Sequence, residues 1–225
     1  IPDFLAWIST TRIRGLNVTF PYKQSVVPYT DPSDEVAKLG VCNTLLFKDN
    51  RIQAFNTDIT GFKRFYDSIE LTSEIQSVMI FGAGGAARAI VTALLDYGLD
   101  ITIVNRSQHR LDDLPEFIKE RVSTRRLDQV EELNSDCYIN ATSIGYETQN
   151  PTVFLKLPTS VKLVIDLNYT LEMTPLIEEA RNKSIEAHDG KAMLFHQAVD
   201  AFEIWTNQEI NRDEVYQQFL QELIQ

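Results

Sequence analysis

Two residues in this chain are placed to move a proton. Lys23 closes the run Asn17-Val18-Thr19-Phe20-Pro21-Tyr22-Lys23, and Asp58 closes Asn56-Thr57-Asp58. Each sits just past a short apolar run, and ligand crevices in open α/β sheets lie past strand ends. A lysine beside a carboxylate can hold a proton ready for a developing alkoxide. The plain reading stands beside this one. Most Lys and Asp residues are solvated, and Asp58 serves equally as the N-cap of the helix it begins.

A second set of residues suits an anion. Val78-Met79-Ile80-Phe81 runs into Gly82-Ala83-Gly84-Gly85-Ala86-Ala87-Arg88. Gly82, Gly84 and Ala87 fit the Gly-x-Gly-x-x-Gly/Ala fingerprint of a dinucleotide-binding βαβ unit. Gly82 allows the tight turn, Gly84 lets backbone approach a pyrophosphate, and Ala87 lets helix and strand pack closely. The N–H groups at the helix start, with its dipole, favour the phosphates. The next strand ends Val104-Asn105-Arg106-Ser107. Arg106 stands where an NAD-selective unit places a carboxylate, and its forked donors suit the oxygens of a 2′-phosphate. Ser107 adds a hydroxyl and caps the following helix, and Arg110 adds a second charge. This pattern favours NADP over NAD. Glycine clusters also serve plain turns, and Arg106 also reads as a solvated loop residue.

The elements that must carry these groups change character along the chain. A helix remnant with Phe4, Leu5, Trp7 and Ile8 comes first, then a strand over Leu16–Phe20. Tyr22–Val27 reads as a helix with Pro21 at the tolerated first position, and Asp34–Leu39 as another begun by Asp31-Pro32-Ser33. Thr44–Phe47 and Arg51–Phe55 flank Lys48-Asp49-Asn50 as a hairpin. From Asp58, Ile59, Phe62, Phe65, Tyr66 and Ile69 recur at helical spacing. Beyond Thr72-Ser73-Glu74, strands and helices alternate. The strands are Val78–Phe81, Ile101–Val104, Ser123–Leu127, Cys137–Asn140, Leu163–Leu167 and Ile185–Ala187, with helices such as Ala86–Tyr97 and Pro175–Asn182 between them. Such alternation predicts a parallel sheet covered on both faces. Pro115 interrupts the helix after Ser107. Met193, Leu194, Ala198, Ala201, Phe202 and Trp205 form the apolar stripe of a tail helix. Asn211 and Glu214 resemble a capping box for a last helix with Val215, Phe219 and Leu223 inside.

The expected class is α/β with two domains. Residues 1–72 form an α/β substrate domain, 73–190 a Rossmann-type doubly wound parallel sheet, and helices from about Lys191 to 225 return to the first domain. A formal net charge of −11 argues against nucleic acid or an acidic membrane surface as partner. Cys42 and Cys137 form no Cys-x-x-Cys pair and suggest a reducing, cytoplasmic setting without a structural metal. No apolar run reaches the ~18 residues of a membrane span, and no signal peptide is legible. The chain opens at Ile1-Pro2-Asp3 without Met, which reads as a fragment.

Taken together, the motifs form an ordered series. Asn-Val-Thr-x-Pro-x-Lys at 17–23, Cys42-Asn43-Thr44, Asn56-Thr57-Asp58, Gly82 to Arg88, Asn105-Arg106-Ser107 and Asn140-Ala141-Thr142-Ser143-x-Gly145 follow one another. Met193-Leu194-Phe195-His196-Gln197-Ala198 and Ala201-Phe202-Glu203-x-Trp205 close it. The series resembles the shikimate dehydrogenase family from about Gly15 to about Trp205.

The resemblance implies a two-domain enzyme with a deep cleft. It would reduce 3-dehydroshikimate reversibly to shikimate with NADPH, as a monomer or homodimer with a small-molecule substrate. By similarity Lys23 and Asp58 are the catalytic pair, with Lys23 passing the proton and Asp58 orienting it and bonding a substrate hydroxyl. Thr19, Asn43, Tyr169 and Gln197 match substrate-side positions. Asn140, Thr142 and Ser143 match the loop beside the ribose and nicotinamide, and Met193 a residue against the nicotinamide ring. Bland roles exist for each, because buried polar groups usually satisfy backbone. The family's early Ser-x-Ser segment, which grips the substrate carboxylate, has no counterpart here, so truncation or impaired carboxylate binding is expected. Phe55 and Ala192 stand where the family often has Gly. His109, His188 and His196 share no motif and read as non-ligands. Two other readings stay open: a quinate-type relative using NAD, and a catalytically silent NADP-binding module.

Overall fold

The computed structural model describes residues 1–130, 134–145, 157–170 and 172–222. Its first elements are α1 (Pro2–Ile8), β1 (Gly15–Asn17), β2 (Asp31–Pro32), α2 (Asp34–Leu39), β3 (Thr44–Lys48) and β4 (Arg51–Phe55). The four strands make one sheet in the order β1-β3-β4-β2. Asp49 and Asn50 at the β3–β4 turn have φ of 51° and 57°, as a two-residue hairpin turn demands. Ser33 caps α2 by accepting the Val36 N–H. Leu5, Val26, Val36, Cys42, Leu45 and Ala54 form the core of this sheet.

Near Lys23 the chain departs from expectation. β1 stops at Asn17 instead of running to Phe20, and Val18 N–H turns to the Asn43 carbonyl at 2.7 Å. The expected helix over Tyr22–Val27 is a string of turns, with Tyr22 N–H on the Thr19 carbonyl at 2.9 Å and Val26 N–H on that of Tyr22 at 3.1 Å. The Phe20–Pro21 peptide is cis. Pro28 biases Val27 away from α-helix, and β-branched Val26 and Val27 add little helix propensity. A short 3₁₀ turn over Val27–Tyr29 stands there instead.

Next come α3 (Thr57–Asp67), β5 (Ser77–Phe81), α4 (Gly85–Leu94), β6 (Asp100–Asn105), α5 (Gln108–Asp112), α6 (Glu116–Lys119), β7 (Ser123–Arg126), β8 (Cys137–Asn140), β9 (Leu163–Asp166), α7 (Pro175–Asn182) and β10 (Glu186–Asp189). Pro115 separates α5 from α6 as its ring requires. The six strands from β5 to β10 form one sheet in the order β10-β9-β8-β5-β6-β7, with every pairing parallel. Counted from β5, that is the 3-2-1-4-5-6 order of a doubly wound sheet, whose switch point lies between β5 and β8. β8 and β9 are buried along their whole length, as strands covered on both faces must be. Met79, Phe81, Val104, Tyr138, Val164 and Leu176 belong to this sheet's core.

By packing, Ile1–Arg64 and Met193–Gln225 make one unit, and Phe65–Ala192 another. The closing helices are α8 (Lys191–Thr206) and α9 (Arg212–Glu222). Trp205 Nε1–H donates to the Leu45 carbonyl of β3 at 2.9 Å. A Cβ on Gly15 would overlap the Trp205 indole, so glycine lets the helix sit against β1. The buried side of α8 carries Met193, Phe195, Val199, Asp200 and Ala201, while Ala198 and Phe202 of the expected stripe are exposed. The cause is a second neighbour. Phe195 packs on Tyr216 and Phe219 of α9 with ring centroids 4.8 and 5.4 Å apart, so α8 is covered on more than one side. Val215 and Phe219 are half-buried rather than inside, and Leu223 lies outside the described residues. The Glu214 carboxylate takes the Asn211 side-chain amide at 3.3 Å, a variant of the expected capping box. Among the described residues no helix is long and apolar enough to cross a membrane.

Gly190 lies just before α8, and a Cβ there would overlap the Leu167 carbonyl. Backbone cannot yield as a side-chain tip does. Gly190→Ala is therefore expected to lower stability by about 2 kcal/mol or more, read as a drop in the urea midpoint; an unchanged midpoint would refute the close approach.

Candidate functional site

α3 begins where a buried asparagine can cap it. Asn56 Oδ1 accepts the Asp58 N–H at 3.1 Å, and its amide donates to the Val41 carbonyl at 2.9 Å. Asn56 therefore takes the capping role, and Asp58, in the helix's first turn, keeps its carboxylate for other partners. Lys23 Nζ donates to Asp58 Oδ2 at 2.7 Å, and Asn43 Nδ2 to Asp58 Oδ1 at 2.9 Å. Asp58 is 6% exposed; the Lys23 side chain, at 21%, keeps part of its surface open. A buried carboxylate is tolerable when each oxygen has such a donor.

Asn43, 2% exposed, is the hub. Its Oδ1 accepts from Thr57 N–H at 2.8 Å and from the Thr44 hydroxyl at 2.9 Å. Its Nδ2 also approaches Thr57 Oγ1 at 3.0 Å and Gln197 Oε1 at 3.4 Å. Gln197 in turn donates from Nε2 to the Leu194 carbonyl. Lys23, Asn43, Asp58 and Gln197 are thus brought together by β3, α3, α8 and the turn after β1. Thr19 is exposed in that turn, four residues before Lys23.

Residues that sequence reasoning missed hold this group in place. Thr60, Arg64 and Arg212 all address Asp200 of α8: Thr60 through its hydroxyl, Arg212 at 2.6 Å and Arg64 at 3.6 Å. Arg212 also pairs with Glu203. Gly61 lets α3 and α8 touch, since a Cβ there would lie 2.7 Å from Gln197 N. His196 stacks on Tyr216, and burial, then Arg212 and Arg64, hold its imidazole below the usual histidine range. These pairings join distant segments, so no local spacing announces them.

In the other unit the glycine turn has the shape that its sequence predicts. Gly82 sits at φ 112° with its N–H on the Val104 carbonyl at 2.8 Å, and a Cβ there would lie 2.9 Å from the Ala141 carbonyl oxygen. Gly84 is the N-cap of α4 and supplies no side-chain cap. A Cβ at Gly84 would meet nothing within 4 Å, so the backbone faces open space where an anion can approach. Ala83 and Ala87 are buried, and Gly85 and Ala86 open the helix half-buried. A pyrophosphate fits such a cradle. Past β6, Arg106 and Arg110 are exposed, and among the described residues neither is held in an ion pair. Ser107 is the N-cap of α5 by position, but its hydroxyl makes no capping bond, which corrects that expectation. Its carbonyl accepts the Asn105 amide at 3.0 Å instead.

Across the switch point, Asn140 is fully buried. Its Oδ1 accepts the Thr142 N–H at 3.0 Å and hydroxyl at 2.7 Å, and its Nδ2 donates to Asp166 Oδ1 at 2.9 Å. Asp166 also accepts from Thr174 at 2.7 Å and from Asn168. Burial pushes the Asp166 carboxyl above the usual carboxylate range, against the pull of these donors. Asn140 and Thr142 therefore shape the loop, while Ser143 is exposed on it. Tyr169, 46% exposed, follows β9, and Met193 is buried in the first turn of α8.

A doubly wound parallel sheet with a glycine turn at its switch point and an open helix start defines a dinucleotide-binding α/β protein. Comparison with known proteins takes this further. The family description "Shikimate / quinate 5-dehydrogenase" matches residues 67–186, "Shikimate dehydrogenase substrate binding domain" residues 1–45, and "Shikimate 5'-dehydrogenase C-terminal domain" residues 192–218. A shikimate dehydrogenase (NADP(+)) of Afipia carboxidovorans is 36% identical over 214 residues, covering 91% of this chain and 76% of the relative. The solved structure of quinate dehydrogenase from Corynebacterium glutamicum in complex with NAD is 30% identical, with a TM-score of 0.87 over 98% of this chain and 82% of that one. Shikimate 5-dehydrogenase from Listeria monocytogenes, in complex with shikimate and NAD, is 28% identical, with a TM-score of 0.79 over 96% and 80%. The chain belongs to the shikimate dehydrogenase family and is an oxidoreductase.

Asn43→Ala would leave the Thr57 N–H and one Asp58 oxygen short of a buried partner. It is expected to cost about 2 kcal/mol or more, measured by urea unfolding at neutral pH. A loss near zero would show that water replaces the amide and that Asn43 is no hub.

Proposed function

We propose that this protein is an NADP-dependent shikimate dehydrogenase, interconverting 3-dehydroshikimate and shikimate. The observation that carries the reading is the Lys23–Asp58 contact of 2.7 Å, with the second Asp58 oxygen fixed by Asn43. The cofactor, when bound, would supply hydride as NADPH for reduction and accept it as NADP+ for oxidation. Lys23 donates a proton to the carbonyl oxygen during reduction and recovers it from the hydroxyl during oxidation. Asp58 keeps the ammonium aimed and accepts a substrate hydroxyl, so that charge developing on oxygen meets a preorganised donor. Asn43 and Gln197 offer amides beside that carboxylate, Thr19 offers a hydroxyl from the same turn as Lys23, and Tyr169 offers its phenol.

The unit of Ile1–Arg64 and Met193–Gln225 is the substrate half in this reading, and that of Phe65–Ala192 the cofactor half. Gly82, Ala83, Gly84, Gly85 and Ala86 present backbone to the pyrophosphate. Arg106, Ser107 and Arg110 receive the 2′-phosphate, with Asn105 setting the Ser107 carbonyl. Asn140, Thr142 and Ser143 shape the ribose and nicotinamide side, and Met193 supplies an apolar surface for the ring. The NADP(+) in the relative's name supports this choice of cofactor. Soluble cytoplasmic metabolism is the setting we assign.

The quinate dehydrogenase likeness favours a second reading, quinate oxidation with NAD. Rates with shikimate and quinate, each with NADP and NAD, separate the two, because selectivity is a difference in transition-state binding. The highest kcat/KM is expected for shikimate with NADP; a higher value for quinate with NAD would replace the first reading by the second. Lys23→Ala is expected to lower kcat by roughly 10²-fold or more, the usual contribution of a positioned proton donor. An unchanged kcat would remove Lys23 from the mechanism.

A further inference from the structure

One buried charge in the cofactor half takes no part in the chemistry above. Arg88 lies in the first turn of α4 and is 4% exposed. Its Nη2 donates to the Asp113 carbonyl at 2.8 Å and to Asp113 Oδ2 at 2.6 Å. Its Nε is buried without a hydrogen-bond partner among the described residues. A buried guanidinium with incomplete bonding costs stability, so packing alone does not account for its place here.

Asp113 is where α5 ends, with its N–H on the His109 carbonyl at 3.1 Å. α5 carries Arg110 and starts just past Arg106 and Ser107. The near end of this segment is set by the Asn105 amide and Arg110 N–H, both on the Ser107 carbonyl. Leu111 and Leu114 are buried beneath it. Arg88 fixes the far end. It thereby links the helix whose start faces the pyrophosphate to the segment whose arginines face outward. It also offsets the Asp113 carboxylate, next to Asp112, on a segment that must receive a phosphate dianion; like charges oppose such binding.

We propose that Arg88 is a positioning residue for cofactor choice, clamping Asp113 so that Arg106, Ser107 and Arg110 are held ready for a 2′-phosphate. This rests on the reading that those three residues receive that phosphate. NAD lacks the group, so a clamp of this kind matters for NADP alone, whereas a merely structural role would affect both cofactors alike.

Calorimetric titration of the whole chain with NADP and with NAD tests it. Arg88→Met is expected to weaken NADP about tenfold, within the range of a lost charged hydrogen bond, and to change NAD by no more than about twofold. Arg88→Lys keeps the charge and the helix, but its Nζ ends one bond short of Nη2, the single nitrogen that reaches both Asp113 oxygens. It is expected to fold and to lose about threefold in NADP affinity only. Equal weakening of both cofactors, or an unchanged NADP-to-NAD ratio in the folded Lys variant, overturns the proposal. Arg106→Ala is the control. If it leaves the ratio untouched, the reading of the phosphate segment is what fails, and the clamp falls with it.

Discussion

A carboxylate almost out of reach of water, held by an ammonium on one oxygen and an amide on the other, is the constraint around which one half of this protein is arranged. Burying Asp58 would be costly without a donor on each oxygen, and Lys23 and Asn43 supply them. Supplying those two donors requires a turn after β1, the end of the loop into β3, and the start of α3 at one place. Asn56 caps α3, which relieves Asp58 of that duty. Thr57 returns its N–H to Asn43, so the helix start and the hub set each other. Asp200 then links α3 to α8 through Thr60 and to α9 through Arg212, and Gly61 permits the approach. Each of these contacts is modest by itself, but networks of this kind are worth more than separate pairs because every member fixes the next.

The other half is arranged around backbone rather than charge. Parallel pairing of β5 with β6 and with β8 brings Gly82, the Val104 carbonyl and the Ala141 carbonyl together at the switch point. Only a residue without Cβ fits Gly82 there, and the same lack at Gly84 leaves the start of α4 open. Asp166 plays the part that Asn43 plays elsewhere: a buried polar group with several partners, it ties the loop after β8 to the start of α7. The family comparison and the doubly wound topology agree on what such a half is built to hold.

Much of this was legible from residue types because the signals are local. Gly82 to Ala87 announce the turn, Asp49-Asn50 the hairpin, Pro115 the break between α5 and α6, and Ser33 the start of α2. Each depends on φ angles or caps within a few residues. What was not legible depends on partners far along the chain. Asn56 rather than Asp58 as the cap could be told only from which oxygen faces the helix. The exposure of Ala198 and Phe202 follows from α9 covering a different side of α8 than a single stripe would imply. The loss of a helix after Pro21 is intermediate: Val26-Val27-Pro28 argues against it locally, yet Pro21 at a helix start argued for it. Asp200 and Arg88 look in the sequence like any other charged residues, and only their burial sets them apart.

The central claim is that Lys23 and Asp58 act as one unit rather than as two separate contributors. A double-mutant cycle on kcat/KM for shikimate oxidation, with Lys23→Met, Asp58→Asn and the double variant, addresses it directly. If the account is right, the double variant is slower than the worse single variant by no more than about threefold, since removing either partner already disables the pair. Losses that multiply across the two positions would contradict it and leave two independent residues that merely lie side by side.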